Sequence, residues 1–201
     1  MHILCSDLEG VFVPEIWINV AEKIGIPELR LTTRDISDYD VLMKKRLAIL
    51  DAHSLKLQDI QDVIAGLDPL DGAADVLAEI RSKHQIIIVS DTFVEFAGPL
   101  MKKLNHPTLF CNSLEVAPDG AVTGYRLRQK DGKRKTVEAL HSLDYRVVAF
   151  GDSYNDVSMI KAADAGFFFR PPENIITEYP HFPVTQTYPE VLEQICLAVA
   201  Q

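Results

Sequence analysis

The chain has 201 residues, and 29 acidic against 20 basic side chains give it a formal net charge of −9. Hydrophobic residues make up 47% and charged residues 24%, a composition typical of a folded globular chain, which excludes a disordered tail, a collagen-like fibre and a coiled coil. The acidic balance argues against a nucleic-acid-binding protein, because neutralising phosphates requires a positive surface.

Membrane insertion and secretion are not expected. Apolar runs such as 86–89 are far shorter than the roughly 20 residues that span a bilayer, and residues 1–7 lack the basic start of a signal peptide. The three cysteines, Cys5, Cys111 and Cys196, are widely spaced and predict reduced thiols. The six histidines have no metal-ligand spacing, which argues against zinc. We therefore expect a cytoplasmic protein that binds neither membranes nor nucleic acids.

Short apolar runs that end in polar residues predict the strands of a buried parallel sheet. Five such runs lie at 2–6, 86–89, 108–111, 146–150 and 165–169. Helical patterns lie between most of them, at 72–83, 92–104, 133–142 and 153–162. A Pro-Asp-Gly turn within 114–125 predicts a β-hairpin there. The alternation predicts an α/β fold with a Rossmann-like parallel sheet covered on both faces.

Residues 14–71 interrupt this alternation directly after the first strand. Apolar residues at helical spacing fill the segment and no strong strand pattern appears, so we predict a helical insertion. Pro14 and residues 69–72 are candidate hinges. The predicted organisation is an α/β core of residues 1–13 and 72–201, with the insertion at 14–71.

Polar residues that end buried strands are the first candidates for chemistry, because ligands of open α/β sheets bind at the carboxyl ends of the strands. Asp7 and Glu9 follow the first strand and lie on one side of an extended backbone. One carboxylate can accept a phosphoryl group as a nucleophile, and the other can serve as a general acid/base. For an isolated pair, capping of the next helix is the commoner role.

Ser90 and Asp91 end the second strand. A hydroxyl and backbone N–H groups at such a turn can bind phosphoryl oxygens, or the turn can simply cap the following helix. A basic run follows over 126–135, and most of it is expected on a solvated face. One lysine near the start of helix 133–142 could reach a phosphate. We favour Lys133, although this pattern alone leaves Lys130 and Lys135 open.

Residues 151–156, Gly-Asp-Ser-Tyr-Asn-Asp, follow the fourth strand and open a helix. Asp152 and Asp156 lie one helical turn apart and face the same way. Carboxylates that converge at one sheet edge repel each other unless a cation lies among them, and Mg²⁺ suits such oxygen ligands and phosphate chemistry. Together, the nucleophile, hydroxyl, lysine and acidic pair predict a phosphoryl-transfer site.

The haloacid dehalogenase superfamily has four motifs, and this chain resembles them at Asp7-Leu8-Glu9-Gly10-Val11, Ser90-Asp91-Thr92, Lys133 and 151–156. The resemblance covers nearly the whole chain and implies the haloacid dehalogenase fold, with the insertion as its helical C1 cap. Within the superfamily the chain is most similar to phosphoserine phosphatases. Residues 14–17, Arg46 and 151–156 bring it closest to those that also transfer phosphate to homoserine. Glu9, where ordinary phosphoserine phosphatases usually carry Asp, supports the transferase interpretation.

The resemblance also implies roles for the matching residues. Asp7 would be the nucleophile that forms an aspartyl phosphate, and Glu9 would be the general acid/base. The Mg²⁺ ligands would be the Asp7 and Asp152 carboxylates and the Glu9 backbone carbonyl, with Asp156 supporting them from behind. These roles are expectations for the structure to examine.

The substrate would be held by Ser90, Asp91, Lys133 and Asn155 from the core and by Glu15 and Arg46 from the cap. Ser90 and Lys133 would contact the phosphoryl oxygens. Arg46 offers a bidentate fork to a carboxylate and Glu15 attracts an ammonium group, which suits a zwitterionic amino acid. On the residues alone, both are more often ordinary surface residues of a helical segment.

The expected activity is phosphoryl transfer from O-phospho-L-serine to water or to L-homoserine, within serine and threonine biosynthesis. One alternative is a phosphatase for another small phosphate ester on the same fold. Another is a receiver-like module that holds phosphate on an aspartate without turnover, although such modules are shorter and lack the insertion. A dinucleotide-binding domain is disfavoured because G-x-G-x-x-G is absent after the first strand. The oligomeric state stays open, with a homodimer as one option.

Overall fold

The computed structural model describes residues 1–32, 35–36 and 38–200. The strands are β1 (His2–Ser6), β2 (Gln85–Phe93), β3 (Thr108–Val116), β4 (Val122–Arg126), β5 (Arg146–Gly151), β6 (Ala165–Phe169) and β7 (Val184–Thr185). The α-helices are α1 (Ile16–Ile24), α2 (Tyr39–Ala52), α3 (Leu57–Ala65), α4 (Ala73–Lys83), α5 (Val94–Lys103), α6 (Gly132–His141), α7 (Val157–Ala162), α8 (Glu173–Glu178) and α9 (Tyr188–Val199). Short 3-10 helices occupy Pro27–Arg30 and Tyr154–Asp156.

The strands form one seven-stranded sheet in the order β4-β3-β2-β1-β5-β6-β7. The pair β3 and β4 is antiparallel, and the other neighbours are parallel. The predicted α/β fold with a mainly parallel sheet is therefore confirmed. Among the helices of the described ranges, none combines the length and the apolar character of a membrane span.

Two hydrophobic layers cover the central strands, and the period of two along each strand decides which side chain enters which layer. Leu4 of β1 and Phe150 of β5 belong to the larger cluster, which also holds apolar residues of α4, α5 and α9. Cys5 and Ala149 point into the smaller cluster, with residues of α6 and α7. Burial on both faces explains why β1 and β5 are continuously apolar in sequence.

The structure corrects two predicted helix starts. The helix predicted over 92–104 begins only at Val94, because β2 continues to Phe93, which pairs with Asn112 of β3. The helix predicted over 153–162 begins as a 3-10 turn, and α7 starts at Val157. The reason for the second difference is a reciprocal cap, in which Ser153 and the Asp156 carboxylate bond each other's backbone amides.

The remaining predicted elements agree with the structure in kind. The hairpin predicted over 114–125 is formed by β3 and β4, and its turn closes with a bond from the Ala117 amide to the Ala121 carbonyl at 2.9 Å. The predicted elements end at residue 169, whereas the structure adds α8, β7 and α9 beyond it.

The predicted insertion at 14–71 contains α1, α2 and α3, in agreement with its helical patterns. Its loop before α3 is attached to the β3–β4 turn, where the Leu57 amide donates to the Gly120 carbonyl at 2.9 Å and Lys56 pairs with Asp119 at 2.6 Å. Apolar residues of α1 and α3 join the larger core cluster. The division into core and cap remains a proposal; "cap" below denotes residues 14–71.

Candidate active site

The carboxyl ends of β1, β2 and β5 lie side by side in the sheet, so the residues that follow them share one edge. Asp7 follows β1 directly, and its amide donates to the Phe150 carbonyl of β5 at 3.1 Å. Lys133, in the first turn of α6, reaches this edge from the neighbouring layer. Its Nζ lies 2.8 Å from Asp7 Oδ2 and 2.6 Å from Asp156 Oδ1.

The basic run of 126–135 therefore contributes one buried lysine to this edge. Lys133 is 3% exposed, whereas Lys135 pairs with Glu138 at the surface, 2.7 Å away. Burial alone would lower the pKa of Lys133, but the carboxylates of Asp156 and Asp7 raise it well above its ordinary value. Lys133 therefore stays protonated beside them.

Three buried carboxylates, those of Asp7, Asp152 and Asp156, bring oxygen atoms within 4.8 Å of one another. Burial raises the pKa of Asp7, the Asp156 carboxylate raises it further, and Lys133 opposes both. Asp156 is already engaged, because Oδ1 meets Lys133 and Oδ2 accepts the amides of Asp152 and Ser153 at 3.0 and 3.1 Å. A hard cation with oxygen ligands fits such a cluster, since it relieves the repulsion that one lysine leaves uncompensated.

Two glycines allow the acidic loops to approach this closely. Gly10 has φ +75°, and a Cβ there would lie 2.4 Å from Asp152 Oδ2. A Cβ on Gly151 would lie 2.2 Å from the Asp156 carboxyl carbon. Both distances are far below van der Waals contact, so a side chain at either position would displace a carboxylate.

Glu9 faces the cap. Its Oε2 accepts the amide of Ile16, the first residue of α1, at 2.8 Å. Burial raises the pKa of Glu9 to about 7 and the nearby Glu15 carboxylate adds to the rise, while the Ile16 amide and Arg46 oppose it. A carboxyl group with a pKa near 7 can both donate and accept a proton at neutral pH. The backbone carbonyl of Glu9 as a metal ligand remains a prediction.

The last residues of β2, where the register with β3 shifts after Val89, bring the second motif to the same place. Ser90 is buried, and its Oγ accepts the Thr92 amide at 3.2 Å. Asp91 Oδ2 accepts from Asn155 Nδ2 at 2.9 Å and lies 3.9 Å from Lys133 Nζ. Asp91 thus lies between Asn155 and Lys133, and all four of these residues, Ser90 included, line one cavity.

The cap supplies the opposite wall. Arg46 of α2 is 7% exposed, its Nη2 donates to the Leu31 carbonyl at 2.8 Å, and its guanidinium lies 4.5 Å from the centre of the Trp17 ring. Burial lowers the pKa of Arg46 to about 10, while Tyr39 and the carboxylates of Glu9 and Glu15 oppose the shift. Arg46 is therefore still a cation at neutral pH.

Core and cap enclose a cavity of about 80 Å³. Most of the predicted site residues line it, namely Asp7, Glu9, Glu15, Arg46, Ser90, Asp91, Asp152 and Asn155. Lys133 and Asp156 do not line it, but Lys133 contacts Asp7 of its wall and pairs with Asp156. A second cavity of about 560 Å³ shares Tyr39, Ser90, Asp91 and Asn155 with the first and is also lined by Lys133.

Several lining residues had no role assigned from the sequence, among them Trp17 and Thr92, which lie within the quoted motifs, and Tyr39, which does not. Tyr39 links cap and core, because its hydroxyl donates to the Asp91 carbonyl at 3.0 Å. Aromatic residues at helical spacing are usually core residues, so no sequence signal separates one that lines a cavity from one that does not.

Comparison with known proteins adds independent evidence. The sequence model of the haloacid dehalogenase-like hydrolases matches residues 4–164. Phosphoserine phosphatase ThrH of Pseudomonas aeruginosa is 56% identical over 198 residues, which cover 98% of this chain and 97% of that protein. A phosphoserine phosphatase of Pseudomonas syringae is 54% identical over 98% of this chain and 84% of its own length. A solved structure described as a phospho-aspartyl intermediate analogue of phosphoserine phosphatase superposes with a TM-score of 0.74 at 21% identity, covering 95% of this chain and 97% of that one.

We predict that Gly10→Ala destabilises the protein more than Gly25→Ala, as measured by urea unfolding. Both glycines have a positive φ, but a Cβ at Gly25 meets nothing within 4 Å. Gly25→Ala should therefore cost only the backbone strain, about 1–2 kcal/mol. Gly10→Ala carries the same strain and also displaces Asp152. Equal losses in the two variants would contradict the close-approach argument.

Proposed function

The chain belongs to the haloacid dehalogenase-like hydrolases and, within them, to the phosphoserine phosphatase family, and from this membership we propose that it transfers the phosphoryl group of O-phospho-L-serine through an aspartyl phosphate on Asp7. One observation carries the proposal. Asp7, which pairs with the buried Lys133, lines the same small cavity as Glu15 and Arg46, which offer an anion and a cation to an amino acid.

In the first step, an oxygen of Asp7 attacks phosphorus while the bond to the seryl oxygen breaks. Lys133 and the Ser90 hydroxyl balance the charge of the phosphoryl oxygens. Glu9 donates its proton to the departing seryl oxygen, and serine leaves. In the second step, Glu9 takes a proton from water, the water oxygen attacks phosphorus, and the Asp7 carboxylate is released with inorganic phosphate.

The same intermediate gives L-homoserine a chemical route to phosphorylation. Its hydroxyl would replace water, lose its proton to Glu9 and take the phosphoryl group from Asp7. We propose this as a second activity. It is supported by the resemblance of the first and cap motifs and by the cavity pairing of Glu15 with Arg46, which would accept the ammonium and carboxylate of either amino acid.

We further propose Mg²⁺ as the cofactor. Asp7 and Asp152 would hold it, while Asp156 keeps their loops in place through Lys133 and two backbone amides. When bound, the cation neutralises charge on the phosphoryl oxygens and the aspartates. The buried, oxygen-only donor set fits a hard divalent ion and disfavours zinc, which prefers nitrogen and sulfur ligands.

We expect phosphate release from L-phosphoserine in the presence of Mg²⁺, and its abolition in Asp7→Asn because an amide is not a nucleophile. Asp68→Asn, with a side chain 84% exposed, makes the same chemical change outside the site and should keep full activity. Phosphate and phosphohomoserine are quantified together, with and without L-homoserine. Phosphohomoserine that appears as free phosphate falls would support the transferase. Full activity in Asp7→Asn would refute the nucleophile.

The same assay separates the alternatives. A phosphatase for a different ester would release nothing from phosphoserine and would be found with a panel of small phosphate esters. A receiver-like module would take up phosphate once, without turnover. Free phosphate that homoserine leaves unchanged would indicate a phosphatase alone.

The pH dependence should report Glu9. Because its protonated form is the acid that serves the leaving group, kcat/KM for phosphoserine should fall as pH rises through about 7. The Glu9→Gln variant should have a much lower kcat/KM, and its pH profile should lack the fall near pH 7. In Glu15→Gln, the midpoint should move to lower pH, because the carboxylate that raises the pKa of Glu9 is gone. A wild-type profile that is flat between pH 6 and 8, on the order of one unit either side of that pKa, would contradict the assignment.

Mg²⁺ should raise the melting temperature, and more at pH 8 than at pH 5. The pKa of Asp7 is raised in the folded protein, so the folded state binds its proton more tightly than the unfolded chain does. Without a cation, stability therefore falls as pH rises above the ordinary value of 3.8. Mg²⁺ competes with that proton and relieves the repulsion. Asp152→Asn should lose the Mg²⁺ effect, and an unchanged shift in that variant would contradict the proposed ligand set.

A further inference from the structure

Trp17 is the single tryptophan of the chain and lies in α1 at the wall of the cavity. It is 7% exposed, and its ring packs edge-on against Phe96 of α5 with centroids 5.5 Å apart. The guanidinium of Arg46 lies over its ring at 4.5 Å. Trp17 therefore contacts the hydrophobic core through Phe96 and a buried cation through Arg46.

Among the described residues, Arg46 has few hydrogen-bond partners for a buried cation. Nη2 donates to the Leu31 carbonyl, and Nη1 has only a weak contact with the Met43 sulfur at 3.7 Å. Within the described ranges, the buried Nε has no hydrogen-bond partner. A buried N–H group without a partner is costly, and a charged one more so, which indicates a group held ready for a ligand. Since Arg46 lines the cavity, that ligand is an anion within it.

Among the described residues, Trp17 gives Arg46 a contact of a second kind, with the guanidinium carbon 4.5 Å from the centre of the aromatic ring. An arginine side chain has many rotamers, and one strong hydrogen bond to Leu31 leaves rotation about that contact free. An aromatic face under the guanidinium fixes its plane and offsets part of the cost of burying its charge. Bidentate recognition of a carboxylate depends on that plane.

We propose that Trp17 is a positioning residue for carboxylate recognition, holding the plane of Arg46 so that the enzyme prefers phosphomonoesters of amino acids over phosphomonoesters of simple amines. This inference rests on the proposed function and deepens it by naming what selects the substrate class. The competing explanation is that Trp17 only fills the space between α1 and Phe96.

The test compares L-phosphoserine with phosphoethanolamine, which carries the same phosphate ester and ammonium group but no carboxylate. Trp17→Leu should lower kcat/KM for phosphoserine about tenfold or more, because that is the range expected for loss of a desolvated cation–π contact. The same substitution should change kcat/KM for phosphoethanolamine less than about threefold. Trp17→Phe keeps an aromatic face and should retain most of the preference. If phosphoethanolamine turns over too slowly to measure, its inhibition constant against phosphoserine replaces kcat/KM.

Phe110→Leu is the matched control, because Phe110 lies under another arginine, Arg128, at 5.0 Å. Loss of that aromatic face should leave the ratio of the two substrates unchanged. An equal fall for both substrates in Trp17→Leu would mean that Trp17 is only a packing residue and would overturn the proposal. An unchanged rate with phosphoserine would overturn it as well.

A double-mutant cycle with Arg46→Ala tests whether Trp17 acts through Arg46. In the Arg46→Ala background the carboxylate preference should already be lost, so Trp17→Leu should not reduce the ratio further. A further fall would show that Trp17 acts through another group and overturn the proposal. Failure of the proposed function is a different result, because the unmodified protein would then release no phosphate from phosphoserine.

Intrinsic fluorescence gives a readout without turnover. In the Asp7→Asn protein, all tryptophan emission comes from Trp17. Phosphoserine should change this emission because its carboxylate engages the guanidinium stacked on the indole, whereas inorganic phosphate should not. The same response to both ligands would contradict a contact specific to the carboxylate.

Discussion

The structure depends on the attraction between one buried ammonium group and the carboxylates that surround it. Lys133 holds Asp7 and Asp156 within 2.8 Å of its Nζ, and all three residues are buried. Such a cluster is tolerable only if every oxygen has a partner, since an uncompensated buried charge costs several kcal/mol. This requirement explains three features of the site. Asp156 accepts two backbone amides, positions 10 and 151 are glycines, and the three carboxylates leave room for a cation.

The proposed acid/base group, Glu9, is bonded to the cap rather than to this cluster. The Glu9 carboxylate accepts a hydrogen bond from the amide of Ile16, the first residue of α1. Glu15 and Trp17, which both line the cavity, are the chain neighbours of Ile16. In the proposed mechanism, proton transfer and recognition of the amino acid are therefore organised by one helix end. The phosphoryl group would instead be held by the core, through Ser90 and Lys133. The cavity lies between these two sets of residues, so the proposed substrate would contact both.

Much of this was predictable because the informative signals are local. Strands buried on both faces of a parallel sheet are continuously apolar, and this pattern predicted β1 and β5. These two strands are neighbours in the sheet, so the polar residues that follow them lie close together. The start of α5 was not predictable, because Phe93 and Phe96 are both buried and fit a helical period although Phe93 ends a strand. Helix α9 carried an unused signal, a Thr187–Glu190 capping box. Contacts between distant segments, such as that of Arg46 with Trp17, cannot be predicted from the spacing of residues along the sequence.

The shared hydrophobic cluster has a consequence for how this cap could be exchanged. Ile60 and Ile64 of α3, with Trp17 of α1, are buried in the same apolar layer as Phe96 of α5. A chimera that grafts a foreign segment onto positions 14 and 71 would remove those side chains and leave a void in the core, in addition to changing the ligand. Such a graft would succeed only with compensating apolar residues on its own first and last helices. In this chain, single substitutions along the cavity wall therefore disturb the core less than replacement of the whole segment would.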